Sequence, residues 1–111
     1  MLPSSKRLTI PLFKNALDKG KIFHSPLFIA RLLKVEGVSR FSVSVPKKIA
    51  KLAVDRNKIR RRVYSALRPL IPKLSLGIHG VLVVKATIIK VSFKDLAHEL
   101  ESFFVKTGLM K

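Results

Sequence analysis

Between Lys47 and Lys73 the sequence carries ten basic residues against one acid, Asp55. Guanidinium groups set this closely grip successive phosphate oxygens by paired hydrogen bonds, which a helix face of mixed sign cannot do. On a projection of about 100° per residue, Asn57, Arg61, Tyr64 and Arg68 lie opposite an apolar stripe of Ile59, Val63, Ala66, Leu67 and Leu70. Lys58 lies beside them, and Arg56, Arg60 and Arg62 sit at the boundary. Asn57 adds a donor and an acceptor for a sugar hydroxyl or a base edge. A charged face that is merely solvated normally alternates in sign. This one does not, and the chemistry it suits is binding a polyanion through its phosphates. Charge alone does not choose RNA over DNA.

Catalysis by the chain alone has no comparable constellation. His24, His79 and His98 fall on three different predicted elements, with no HxxxH or HExxH pattern. Asp95, His98 and Glu99 share one helical face and are the sole candidate for a metal or acid–base cluster. Their simpler reading is a solvated first turn whose carboxylates favour the helix dipole. Gly37, Gly77 and Gly80 do not form a phosphate-cradling loop. The absence of cysteine excludes disulfide and thiolate chemistry and fits a reducing cytosol. A base-stacking sheet of the RRM kind needs two or three aromatics on a strand. Phe41 alternates with Val43 and Val45 and reads instead as core.

These residues must be held by a small scaffold. The chain has 111 residues, 48% of them apolar, and a formal net charge of +17. That suffices for one folded domain with a modest core, read as residues 1–111, with 1–8 as a flexible basic N-terminus. The longest uncharged stretch, Leu74 to Val84, is about half a membrane span, and the opening residues lack the apolar run of a secretion signal. The first helix is predicted over Ile10 to Lys19, with Thr9 as cap, Pro11 in the first turn and Gly20 as a left-handed exit. Lys21 to Leu33, interrupted by Pro26, reads as one or two strands, and Glu36 and Gly37 as a turn. Phe41, Val43 and Val45 alternate with Ser42 and Ser44 as a half-buried strand. The basic helix is placed over Asp55 to Leu67, with Asp55 as N-cap and Pro69 and Pro72 closing it. Ile78 to Val84 reads as a strand buried on both faces. Ser92 and Asp95 have capping-box spacing before a last helix whose buried stripe is Phe93, Leu96, Ala97, Leu100, Phe103 and Phe104. This order indicates an α+β or α/β sandwich around one sheet.

The stretch KKIAKLAVDRNKIRRRVY resembles the signature of the bacterial ribonuclease P protein subunit. In that family a lysine pair ends a strand and an Arg-Asn-Arg triplet opens a long basic helix. The pair here is Lys47 and Lys48, and the triplet reads Arg56-Asn57-Lys58, followed by Ile59-Arg60-Arg61. The flanks agree: Ser5 to Leu8, Phe13 and Gly20 in the first helix region, and Phe28 and Arg40 beyond. Three positions depart. Lys58 replaces the second Arg and loses its forked geometry. Leu17 stands where a second aromatic is common, and Lys85-Ala86 replaces the usual Arg-Pro.

The resemblance implies an α–β sandwich of the ribosomal protein S5 domain 2 type, with about four strands and a left-handed crossover through the basic helix. General expectation for such a crossover is right-handed. It further implies that the chain binds a large catalytic RNA and that together they hydrolyse the 5′ leader from precursor tRNA. The implied surface for the catalytic RNA is Lys47, Lys48, Lys51, Arg56, Asn57, Lys58, Arg60, Arg61 and Arg68. The implied leader cleft, between the first helix and the sheet, comprises Arg7, Phe13, Leu17, Arg40 and Lys85. On its own pattern Phe13 reads as core; the resemblance moves it to the cleft, stacked on a leader base. No cofactor or metal is expected on the chain, the Mg2+ of the holoenzyme being held mainly by RNA. The implied protein is cytoplasmic and monomeric within the ribonucleoprotein, with neither DNA nor membrane as partner.

The competing class is a non-catalytic RNA-binding protein such as a small ribosomal protein, which shares this charge and size. Such proteins usually carry basic tails, whereas the charge here lies inside a predicted helix. Binding to an anionic membrane would want a basic helix with large exposed apolar residues, and the apolar stripe of this helix is needed by the core.

Overall fold

In the computed structural model, which describes residues 8–110, the elements follow the order read from the sequence. They are α1 (Ile10–Lys19), β1 (Lys21–His24), β2 (Phe28–Val35), β3 (Arg40–Ser44), α2 (Ala53–Leu67), β4 (Gly77–Val84) and α3 (Phe93–Lys106). Short 3-10 turns at Arg68–Lys73 and Ala86–Lys90 lead into and out of β4. The sheet order is β1-β2-β4-β3. The β1/β2 and β2/β4 pairs are antiparallel, whereas β3 and β4 are parallel neighbours joined through α2. A basic helix thus forms the crossover, which is what sets its charged face on the outside of the sandwich. Among the described residues no helix is long and apolar enough to cross a membrane.

The inner face of the sheet carries Phe28, Ala30 and Leu32 of β2, Ile78, Leu82 and Val84 of β4, and Phe41 and Val43 of β3, all buried. They meet Val63 and Leu67 of α2 and Leu96, Leu100, Phe103 and Phe104 of α3 in one core. Its rings pack edge-on: Phe28 on Phe103 at 4.9 Å and Phe41 on Phe104 at 6.1 Å between centroids. Gly80 makes room for this, since a Cβ there would lie 2.6 Å from the Phe41 ring. On the opposite face Val81 and His79 are buried as well, beneath α1, which crosses β4 and β2. The apolar run of β4 is therefore covered on both sides, as its composition predicts.

Four local expectations are corrected. Gly20 does not take a left-handed conformation; it leaves α1 at φ −71° and ψ 146°, directly into β1. Glycine is needed for close approach instead, because a Cβ would collide with the Ala16 carbonyl and lie 3.2 Å from the Leu32 nitrogen. The N-cap of α2 is Leu52, and Asp55 lies within the first turn, where its charge still favours the dipole. Tyr64 does not join the outward basic face; it is 6% exposed. Its hydroxyl accepts the Val43 N–H at 3.0 Å on the free edge of β3, and the Leu8 N–H reaches the Phe41 carbonyl on that edge at 3.4 Å. An edge donor left bare attracts unwanted strand pairing, and a long side chain at the boundary of the stripe covers it. Last, Phe93 is 47% exposed. It is the first residue of α3, one turn short of the core that Leu96 enters. The Ser92 cap is as expected, its hydroxyl accepting the Asp95 N–H at 3.1 Å.

Candidate nucleic-acid interface

The basic surface begins in the loop after β3. The Pro46 carbonyl accepts the Ile49 N–H at 3.0 Å and the Ala50 N–H at 3.4 Å, closing a turn that leaves Lys47 and Lys48 exposed. Ile49 and Ala50 pack against the core, so the turn is anchored from below. Arg56 then reaches back from α2, its Nη1 donating to the carbonyls of Ala50 at 3.0 Å and Lys51 at 2.8 Å. A carbonyl has no charge to cancel, so Arg56 fixes the loop and keeps its own charge.

Along α2, Asn57, Lys58 and Arg61 are exposed on the outward side, Arg60 is half-buried, and Arg68 is exposed at the start of the turn that follows. Arg60 donates to the Asn57 amide oxygen, which orients both groups on one turn. Arg62 is directed toward α3, and its Nη2 donates to the Val91 carbonyl at 2.7 Å. All nine residues predicted for this surface therefore fall on α2, the turn after it or the loop before it, and none lies in the core. Two of them, Arg56 and Arg60, serve the interface partly by holding its shape.

The second predicted site divides differently. Arg7 lies outside the described residues. The course of α1 across the outer face is fixed at three points: Leu8 beside Phe41 of β3, Gly20 against Leu32 of β2, and Arg31 Nη1 donating to the Leu17 carbonyl at 2.6 Å. Ala16 is the buried residue of this helix. At about 100° per residue, Phe13 and Leu17 lie to one side of Ala16 and Leu12 and Lys19 to the other. Lys19 shares a groove with Lys21, Leu33 and Lys34. Phe13 and Leu17 therefore face the opposite half of the sheet, where Ile29, Ser42, Ser44 and Val83 are only half-buried. Phe13 is half-buried, stands outside the core and has no ring partner among the described residues.

Arg40 and Lys85 are not brought together. Arg40 pairs with His79 near the start of β4, and Lys85 follows the end of that strand, about 20 Å away at strand rise. Lys85 Nζ donates to the Ser25 carbonyl at 2.7 Å, tying down the corner between β1 and β2. His79 is buried, its Nδ1 has no partner among the described residues, and its pKa is held below the ordinary value by burial and then by the Arg40 guanidinium.

Among the described residues, no three His, Cys, Asp or Glu side chains are close enough to hold a metal ion, and Glu99 is engaged by the Ser25 hydroxyl at 3.2 Å. The geometry offers two things: an exposed row of cations suited to a polyanion, and on α1 a half-buried aromatic ring outside the core. Sequence reasoning missed two neighbours of the row, Arg62 as a strut and Phe93 as an exposed ring. The signal for Phe93 was its place as first residue of the helix, where the stripe need not yet reach the core.

The sequence profile of the Ribonuclease P family matches residues 2–108. The ribonuclease P protein component of Microcystis aeruginosa is 31% identical over 103 residues, covering 88% of this chain and 86% of its own length. That of Synechococcus elongatus is 32% identical, over 82% of this chain and 80% of its own length. The fold is similar to that of the ribonuclease P protein of Staphylococcus aureus, with TM-score 0.81 and 18% identity over 96% of this chain and 98% of the other. The Thermotoga maritima protein gives TM-score 0.74 and 23% identity over 87% and 93%. With a profile match over nearly its whole length and a curated relative 31% identical over most of both chains, the protein belongs to the ribonuclease P protein family.

Proposed function

We propose that the chain is the protein subunit of a ribonuclease P ribonucleoprotein, acting in removal of the 5′ leader from precursor tRNA. The loop at Lys47, Lys48 and Lys51 and the outward face of α2 bind the catalytic RNA. The cleft beside Phe13 and Leu17 takes the single-stranded leader. The hydrolytic centre, with its magnesium ions, belongs to the RNA. The observation that carries this reading is the exposed row of Asn57, Lys58 and Arg61 on a helix whose sole carboxylate is Asp55. Phosphate binding of this kind needs cations held in place and unneutralised, and Arg56 and Arg62 hold their surroundings through carbonyls rather than carboxylates. Phe13, half-buried on α1 and outside the core, supports a second, single-stranded contact.

The test is reconstitution. Full-length chain added to a cyanobacterial ribonuclease P RNA should restore precursor-tRNA cleavage at magnesium concentrations where the RNA alone is slow. A folded chain that gives no such rescue, or that cuts precursor tRNA without the RNA, would overturn the proposal.

A further inference from the structure

A second feature lies on the α3 side of the basic helix. Lys58, Arg61, Arg62 and Ser65 recur at helical spacing on one side of α2 and line a shallow groove whose other wall is Phe93. No carboxylate lines this groove. The bond from Arg62 to the Val91 carbonyl, 2.7 Å, pins the chain two residues before the ring and so fixes where the ring sits. Phe93 has no ring partner among the described residues, and nearly half of it faces solvent. The groove therefore sets an exposed aromatic face beside three cations.

We propose that this groove is a subsite for one unstacked nucleotide of the bound RNA, its base lying on Phe93 and its flanking phosphates on Lys58 and Arg61. Each part of the groove matches one part of a nucleotide. The ring supplies a stacking platform that every base can use. The two exposed cations supply phosphate partners, and the Ser65 hydroxyl supplies a donor and acceptor for a sugar hydroxyl or base edge. Arg62, already bound to a carbonyl, acts as the positioning residue. Duplex RNA offers no such base, so the groove selects bulges, loops and junctions. This inference rests on the reading of α2 as the RNA-binding surface, and it names what that surface recognises.

The sequence contains no tryptophan, so Phe93→Trp places a single indole reporter at the groove. Binding of ribonuclease P RNA to full-length F93W should quench its fluorescence, while a fully paired RNA duplex should bind without quenching. Phe93→Ala should weaken RNA binding by about tenfold and leave the salt dependence unchanged, because stacking releases no counterions. Arg61→Ala should lower the salt dependence. RNA binding by F93W with an unchanged emission spectrum would overturn the subsite while leaving the function of α2 intact. Equal quenching by poly-glutamate would also overturn it, marking a general anion groove. Failure of Arg61→Ala to alter the salt dependence would instead remove the underlying reading of α2.

Discussion

Arg61 stands exposed midway along α2, beyond reach of the core. Each phosphate it neutralises releases a condensed counterion, so Arg61→Ala should lower the slope of log affinity against log salt by about one. Titration at four or five salt concentrations measures it, and an unchanged slope would take Arg61 out of the interface. Phe13 differs, since the role proposed for it is contact with a base rather than a phosphate. Phe13→Ala should cost roughly 1–3 kcal/mol in affinity for precursor tRNA and almost nothing for mature tRNA. Equal losses for both substrates would mark the ring as a folding residue. At this scale the sequence was informative where charge decided the matter and weaker where reach decided it. The exposed cations follow from the helical period alone. Tyr64 could not be placed that way, because its position depends on an open N–H of β3, a strand that lies more than a full helix away in sequence.

Elements were legible for a related reason. The extents of α1 and of β4 follow from caps, prolines and apolar runs, which are local signals. The sheet order, and α1 lying across the back of the sheet, depend on pairings distant in sequence; only the crossover came into view, through resemblance to a family. Two predictions belong here. Tyr64→Phe removes the acceptor for the buried Val43 N–H, and leaving that donor unsatisfied should destabilise the protein by about 1–3 kcal/mol in urea unfolding. His79 lies beneath α1 with its pKa lowered from 6.5, first by burial and then by Arg40. The folded state therefore prefers the neutral ring, and protonation favours the unfolded chain. The contribution is full above the ordinary value of 6.5 and is lost as pH falls through the lower folded value. Thermal melts from pH 7.5 to pH 5 should show a steeper loss for the native protein than for His79→Gln. Parallel curves would mean that the ring does not couple α1 to pH.

For the molecule as a whole, a net charge of +17 on 111 residues makes self-repulsion a standing cost of compactness. Arg31, Arg56, Arg62 and Lys85 each hold part of the scaffold by donating to a main-chain carbonyl. Such moorings brace the frame without dimming the field. Repulsion among like charges is therefore a cost that a bound polyanion would relieve. Melting temperature should rise more with a short polyphosphate than with chloride at matched ionic strength, and an equal rise with both would deny this. A cation tied to a carboxylate would have gained rigidity by surrendering its grip. By mooring them to peptide oxygens, the fold keeps its struts available as hands.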